Sequence, residues 1–266
     1  MNRRVSGRTS LSSKWTKTRV MAVSAKLAAH IPETRRMNRK SLGKLLKHYG
    51  MVYVKPNTGS LGIGVMKIGR SGGKWTVRTG LKRKAFPRYG SMYSWLRAET
   101  KGRAYLVQRG IRVIGLGGRA ADFRVMVQKG RKAGWQVTGT AARVAHPGKA
   151  VTNGSQGGSI HDAGALLRRT FGKRKTVALR KTFKVLALKT AGRFSKAYPR
   201  MNELGLDIAV DRGGKAWILE VNTRPDPCPF TKLKDRSMLR RIVGFGRGYG
   251  RSYRLNCTKA RRGSGR

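Results

Sequence analysis

The amino-acid sequence predicts an α+β fold in which antiparallel hairpins alternate with helices. Short apolar runs separated by glycine-rich turns are typical of strands, and residues 161–198 have a strongly helical composition. The stretch 205–222 indicates two apolar strands joined by a Gly-Gly turn at 213–214. The length of 266 residues suits one large domain or two small ones, and 39% hydrophobic residues suffice for a core.

Local signals place the elements in chain order. Asn38 is expected to cap a helix that includes Leu42, Leu45 and Leu46 and ends at Gly50. Strands are predicted at 51–54, 65–68, 74–78, 105–108, 123–128 and 135–140. Further helices are predicted at 26–30, 91–99 and 237–243. Residues 161–198 are predicted to form two helices with a boundary near 172–175. From residue 244 the Arg/Gly/Tyr-rich composition predicts a disordered tail.

The net charge of the chain is extreme and indicates which kinds of partner it binds. Lys and Arg number 61 against 10 Asp and Glu, which gives a formal net charge of +51. Because the basic residues are spread along the whole sequence, we expect a folded body with a basic surface. Such a surface binds polyanions, either an acidic substrate or polymer or, non-specifically, nucleic acid.

Other features of the composition exclude several classes of protein. No apolar run approaches 18 residues, and the basic N-terminus lacks an apolar core, so neither a membrane span nor an export signal is expected. Cys228 and Cys257 do not form a CxxC pair and the histidines are scattered, so neither a zinc site nor a disulfide framework is expected. A reducing, cytoplasmic location is consistent with this composition.

The rarest residues of the chain are concentrated in one place. Half of the ten acidic residues lie between 203 and 226. In the predicted hairpin, Glu220 and Asn222 lie two apart on one strand and so share a face, and antiparallel pairing brings Asp207 towards them. Two carboxylates and an amide oxygen suit Mg²⁺. The alternative is a hairpin with ordinary surface charges.

A glycine-rich loop and two arginines are further candidates. Gly59, Ser60, Gly62 and Gly64 follow Lys55, an arrangement that lets backbone N–H groups and an ammonium group approach a phosphate. The loop is neither a P-loop nor a GxGxxG fingerprint, and an ordinary turn is the alternative. Arg124 and Arg143 would neutralise a transferring phosphoryl group if they face such a site; otherwise they are solvated surface residues.

A series of motifs follows in order along the chain: Lys55-Pro with Gly59-Ser-x-Gly-x-Gly-Val65, Val107-Gln-x-x-Ile111, Asp122-Phe-Arg-Val125, Asn153 with Gly157-Gly158, and Gly205-x-Asp207 with Glu220-Val-Asn222. This order resembles the ATP-grasp superfamily, and the resemblance covers roughly residues 14–232. A second set of motifs consists of Ile31-Pro-Glu-Thr34, Val52-Tyr-Val-Lys-Pro56, Asp122-Phe-Arg-Val125, Trp135-Gln-Val-Thr-Gly139 and Val151-Thr-Asn153. This set more closely resembles the YheC/YheD branch, described as endospore coat-associated.

The resemblance implies an ATP-grasp fold with ATP between two α+β subdomains. It implies that Lys55, Gly59, Ser60, Gly62 and Gly64 clamp the phosphates, and that Gln108, Arg109 and Ile111 cradle adenine and ribose. Asn153 would complete the nucleotide site, and Asp207, Glu220 and Asn222 would hold Mg²⁺. The upstream phosphate-binding lysine of many relatives has no certain counterpart, with Lys17 and Lys26 as candidates.

The resemblance also implies a division of the chain. A basic segment, 1–34, would precede an ATP-grasp domain, 35–243, made of a small lid at about 55–110 and a large subdomain at about 111–243, with the tail at 244–266. A separate N-terminal acceptor-binding domain is expected to be absent or reduced. Gly205 stands where the D-alanine ligase type has an arginine, which disfavours that reaction.

Two classes of function follow. The first is an ATP- and Mg²⁺-dependent carboxylate–amine ligase that forms an acyl phosphate, acts on an acidic peptide or polymer and is spore-associated. The second is a non-catalytic, ATP-grasp-derived structural or polyanion-binding protein of the spore coat or nucleoid. A nucleic-acid-binding protein is a weaker third reading, because no base-reading motif is visible.

Overall fold

The computed structural model describes residues 11–147, 157–257 and 260–263, and these divide into two compact units. Of the described residues, 11–17, 32–112 and 147 form the first unit, and 18–31, 113–146, 157–257 and 260–263 form the second. The predicted lid began at 55, whereas the first unit also contains 32–54. The N-terminal segment is divided between the units by helix α1, Lys14–Ala22, and helix α2, Ala25–Ala28.

The first unit is built on a six-stranded antiparallel sheet in the order β1-β6-β2-β3-β4-β5. The strands are β1 Thr34–Arg36, β2 Met51–Pro56, β3 Met66–Ser71, β4 Lys74–Thr79, β5 Lys82–Phe86 and β6 Tyr105–Arg109. Two helices, α3 Arg39–Tyr49 and α4 Tyr89–Thr100, pack on one face of the sheet, where Leu42, Leu45, Met92 and Leu96 meet the apolar strand residues.

The predicted signals for α3 are confirmed. Asn38 Oδ1 accepts a hydrogen bond from the Ser41 N–H at 2.7 Å, and Ser41 Oγ accepts one from the Asn38 N–H at 3.0 Å. This reciprocal cap satisfies two backbone donors that a helix start leaves without partners. Gly50 ends the helix with a left-handed φ of 68°, a conformation that costs glycine little.

The second unit contains a sheet in the order β12-β11-β8-β9-β10-β13, with β7 paired to β8. The strands are β7 Gly115–Leu116, β8 Arg119–Gly130, β9 Gly134–Val144, β10 Ser159–Asp162, β11 Glu203–Val210, β12 Ala216–Asn222 and β13 Arg261–Arg262. Helix α5, Ala163–Ala197, packs against this sheet through contacts such as Phe123 with Phe183. Gly172 interrupts α5 with non-helical angles, as the predicted boundary near 172–175 requires.

The C-terminal part of the second unit differs from the predicted disordered tail. A short 3-10 helix, Cys228–Lys232, precedes helix α6, Ser237–Gly248, and both pack on the sheet through Phe230 and Ile242. No helix in the described ranges is long and apolar enough to cross a membrane.

Candidate functional site

In the first unit, Lys55 and Gln108 form a polar contact across neighbouring strands. Lys55 Nζ donates a hydrogen bond to Gln108 Oε1 at 3.0 Å, and Gln108 Nε2 donates one to Thr34 Oγ1 at 2.9 Å. Lys55 and Gln108 are 8% and 5% exposed. A buried ammonium group requires compensating partners. The hydrogen bonds through Gln108 therefore hold the Lys55 ammonium group in a fixed position at the end of β2.

The loop after β2 has the backbone that its glycines predict. Gly59, Gly62 and Gly64 all have positive φ values of 70–101°. A Cβ atom on Gly64 would lie only 2.8 Å from the Tyr105 hydroxyl, so a larger residue would displace that ring. The loop therefore depends on glycine both for its conformation and for its packing.

Helix α1 contributes a lysine to this loop that the sequence did not single out. Lys14 Nζ donates a hydrogen bond to the Gly59 carbonyl at 2.7 Å, and Asn57 Oδ1 accepts one from the Trp15 N–H at 2.9 Å. Of the two lysines named as candidates, Lys17 is buried and Lys26 is exposed on α2. No spacing signal marks Lys14, because its partner is 45 residues away.

The three residues predicted to cradle adenine and ribose do not share one environment. Gln108 lies on the Lys55 face of the sheet, whereas Arg109 alternates to the opposite face, where its guanidinium lies 4.7 Å from the Tyr49 ring centroid. Ile111 is buried. Because it lies on the other face, the Arg109 side chain is not beside Lys55. The Arg109 backbone N–H donates a hydrogen bond to the Glu33 carbonyl at 2.8 Å.

In the second unit, the strand register brings the predicted metal ligands together. Asp207 pairs directly with Glu220, and Gly205 pairs with Asn222. Paired residues and residues two apart share a face of an antiparallel sheet. Asn222 Nδ2 approaches Asp207 Oδ2 at 3.4 Å. The predicted juxtaposition of Asp207, Glu220 and Asn222 is therefore present.

Both candidate arginines join Asp207 in a buried ion network. Arg124 Nε donates to Asp207 Oδ1 at 2.7 Å, and the terminal Arg143 nitrogen Nη2 lies 3.1 Å from Asp207 Oδ2. Arg143 also grips Asp122 with two hydrogen bonds of 2.7 Å. Two guanidinium groups and two carboxylates thus balance each other, as burial of charge requires.

The network fixes the protonation state of its members. Burial by itself would raise the pKa of the Asp207 carboxyl, but Arg124 and Arg143 outweigh burial and lower the pKa to about 2. Burial likewise opposes the Arg143 charge, while Asp122 and Asp207 raise the pKa of Arg143 overall. Asp207 and Arg143 are therefore charged at neutral pH.

Arg143 and Arg124 differ in how many of their guanidinium nitrogens pair with carboxylates. Arg143 is 3% exposed and uses both Nε and Nη2 on carboxylates. Arg124 uses Nε, and among the described residues its two terminal nitrogens have no carboxylate partner. Gly205 lies beside this side chain and makes room for Pro225, since a Cβ there would lie only 2.6 Å from Pro225 Cβ, against 3.4 Å from Arg124 Cδ.

The donor set fits a hard cation such as Mg²⁺. No group of three or more His, Cys, Asp or Glu side chains suited to a metal occurs in the described ranges. A cation here would therefore be held by two carboxylates, Asp207 and Glu220, and the Asn222 amide oxygen. Asp207 Oδ1 accepts one hydrogen bond and retains acceptor capacity.

The other acids of the 203–226 stretch have structural roles. Asp211 accepts hydrogen bonds from the Lys215 N–H and Trp217 Nε1, and Asp226 accepts one from the Cys228 N–H. The concentration of acids in the sequence therefore combines turn-forming residues with the candidate ligands.

Glu203 anchors the segment 249–253, which follows α6. Glu203 Oε2 accepts a hydrogen bond from the Tyr249 hydroxyl at 2.8 Å and another from the Tyr253 hydroxyl, and Arg251 pairs with Glu203 Oε1. Gln128 Nε2 also donates to both hydroxyls, at 2.7 and 3.0 Å. These buried polar partners tie the segment after α6 to the sheet.

The two cysteines and Asn153 are the remaining residues for which the sequence made a prediction. The expectation of no disulfide is wrong, because Cys228 and Cys257 are bonded, with their Cα atoms 5.5 Å apart. The folded-back C-terminal segment brings Cys257 to the 3-10 helix, which spacing alone does not reveal. Asn153 lies outside the described residues.

The two sheets with their helices form an ATP-grasp fold. The chain is similar over 95% of its length to N5-carboxyaminoimidazole synthase from Aspergillus clavatus in complex with ADP and 5-aminoimidazole ribonucleotide, with a TM-score of 0.54 and 11% identity over 55% of that chain. It is also similar, over 90% of its length, to the C-terminal domain of K. lactis Pby1, an ATP-grasp enzyme that interacts with the mRNA decapping enzyme Dcp2. There the TM-score is 0.52 and the identity 15% over 72% of that chain.

Within this class, the chain belongs to the YheC/D-like ATP-grasp family, whose model matches residues 4–250. It is 29% identical over 221 residues to the endospore coat-associated protein YheD of Bacillus subtilis (strain 168), which covers 80% of this chain. It is 24% identical over 220 residues to YheC of the same organism, which covers 81% of this chain. The chain spans 48% and 60% of the lengths of these two relatives.

Proposed function

We propose that this protein is an ATP- and Mg²⁺-dependent carboxylate–amine ligase that acts on an acidic peptide or polymer. The observation that carries the proposal is the register that pairs Asp207 with Glu220 and places Asn222 on the same face. Membership of an ATP-grasp family and the fixed Lys55 ammonium beside a glycine loop support the same assignment.

The proposal gives the residues of each unit a chemical role. Lys55 and the N–H groups of the 59–64 loop bind phosphate oxygens of ATP, and Gln108 orients Lys55. Asp207, Glu220 and Asn222 hold Mg²⁺, which when bound neutralises charge on the phosphates. The terminal nitrogens of Arg124 bind the transferring phosphoryl group or the substrate carboxylate, while Arg143 positions Asp207.

The reaction then consists of two substitutions. An oxygen of the substrate carboxylate attacks the γ-phosphorus, and ADP leaves to give an acyl phosphate. The amine nitrogen attacks the acyl carbon, phosphate leaves, and the amine loses a proton as the amide forms. This chemistry depends on positioning and charge stabilisation rather than on a protein nucleophile.

A second candidate is a non-catalytic protein that binds polyanions in a spore coat or nucleoid. The net charge of +51 favours it. The names of the endospore coat-associated proteins YheC and YheD suggest a spore association for either candidate.

Calorimetry with ATP and Mg²⁺ tests for a nucleotide site. Lys55→Ala should weaken binding by about tenfold or more, because it removes a fixed charge from the phosphates. Lys82→Ala is the matched control, since it removes the same charge from an exposed position on the same sheet. Equal losses in both variants would mean that bulk charge attracts ATP, and would contradict the proposal.

A further inference from the structure

The sheet of the first unit has two chemically different faces. Helices α3 and α4 cover the face that carries Val52, Val54, Ile68 and Val77. The strand residues that alternate with these point to the opposite face. None of the six strands contains an Asp or a Glu, so basic residues on this opposite face have no acidic neighbour within the sheet.

Three basic residues form a continuous row on that opposite face. Lys67 of β3 pairs with Arg78 of β4, and Arg78 pairs with Arg83 of β5. The row continues Tyr53 and Gln108, because Tyr53 pairs with both Lys67 and Gln108. The three cations therefore extend from the edge of the proposed phosphate site outward across the sheet.

Like charges that face each other across strands destabilise a sheet. Of the two acids in the described first unit, Glu33 pairs with Arg35 and bonds to Tyr49, and Glu99 lies on the exposed side of α4. Burial, together with Arg78 and Arg112, lowers the pKa of the partly buried Lys67. Among the described residues of the first unit, the row is thus a concentration of positive charge without a carboxylate partner.

We propose that Lys67, Arg78 and Arg83 form the binding surface for an acidic peptide, whose carboxylates pair with successive cations of the row. The proposal rests on the ligase function and assigns its carboxylate substrate class. Strands are spaced by about 4.8 Å, so the row spans roughly 10 Å. One carboxylate cannot span that distance, and a ligand with several carboxylates can.

The same face argues against single-stranded nucleic acid as the occupant. Proteins that bind single strands combine basic residues with exposed aromatic rings on which bases stack. In the outer strands, the rings of Trp75 and Phe86 lie on the opposite side, packed with the helices. On this face Tyr53 pairs with Lys67, but it is partly buried and lies on β2, two and three strands away from Arg78 and Arg83. The two guanidinium groups, which have no adjacent stacking ring in the sheet, suit carboxylates.

The test compares two double variants in adjacent strands. Arg78→Gln with Arg83→Gln removes two cations of the row. Lys82→Gln with Lys84→Gln removes two cations from the other face of β5, where their cross-strand partners are the neutral Thr79 and Val77. The probe is a fluorescein-labelled oligoglutamate peptide, measured by anisotropy at moderate salt without ATP.

The row variant should bind the peptide about tenfold more weakly, and the control variant within about twofold of the wild type. Equal losses in the two variants would overturn the proposal, as would a larger loss of binding to single-stranded DNA than to the peptide in the row variant. ATP binding, measured on the same proteins, should be unchanged in both. If the wild type does not bind ATP but the row variant still loses more peptide binding than the control, the ligase assignment is wrong and the peptide surface is supported. If the wild type binds ATP but the two variants lose peptide binding equally, only the peptide surface is wrong.

Discussion

The polar faces of the two sheets both carry basic side chains, but only the sheet of the second unit supplies carboxylates to pair with them. There Arg124 and Arg143 are held by Asp207 and Asp122. In the first unit, Lys67 and Arg78 meet other cations across the strands. The comparison shows that two carboxylates compensate two buried guanidinium groups in the second unit, whereas the strands of the first sheet supply no carboxylate to Lys67 and Arg78.

The largest expected loss of stability comes from removing one carboxylate of the buried ion network in the second unit. Asp122→Asn leaves the buried Arg143 guanidinium with Asp207 as its remaining charged partner, and removing one member of a buried pair typically costs about 3 kcal/mol or more. Urea denaturation should show this loss in the free energy of unfolding. The exposed Asp226→Asn, which keeps an acceptor for the Cys228 N–H, should change stability little; a similar loss in both variants would contradict a special role for the network.

A smaller effect should appear in the pH dependence of stability. Because the folded-state pKa of Asp207 is lowered to about 2, its ionised form stabilises the fold above the unfolded pKa of about 3.9. That contribution, about 2 kcal/mol, is lost as pH falls from about 4 to about 2. Acid denaturation with EDTA present should show a shallower slope for Asp207→Asn, and identical slopes would refute the charge balance.

The smallest expected effect is a gain in stability, from removing cations of the row in the first unit. Arg78→Gln with Arg83→Gln removes cross-strand repulsion, so it should stabilise the protein by about 0.5 kcal/mol. Lys82→Gln with Lys84→Gln should give no such gain, because Lys84 also loses its contact with the Trp95 ring. Thermal unfolding without peptide measures both, and added salt should narrow the difference. A lower Tm for the first variant would show that the row is not self-repulsive.

Local signals predicted much of the fold and part of the site. The Asn38 cap, the helix break at Gly172 and the pairing of Asp207 with Glu220 follow from motifs within a few residues of each other or of one tight turn. Period-two alternation then suffices to assign residues to a face.

What the sequence did not predict depends on contacts distant in the chain. The grip of Arg143 on Asp122 joins residues 21 apart, and the contact of Lys14 with Gly59 joins residues 45 apart. The order of the C-terminal residues depends on Glu203 and Gln128, and these two anchors cannot be seen in the Arg/Gly/Tyr composition of the segment itself.

Trapping the acyl phosphate tests the central claim most directly. Wild-type protein is incubated with ATP, Mg²⁺, oligoglutamate and hydroxylamine, whose nitrogen would attack the acyl carbon to give a hydroxamate. The account predicts that hydroxamate and ADP form in equal amounts and that a folded Glu220→Gln variant forms neither. Saturable ATP binding by the wild type without hydroxamate, at any tested length of acidic peptide, would contradict the ligase assignment and favour the non-catalytic polyanion-binding protein.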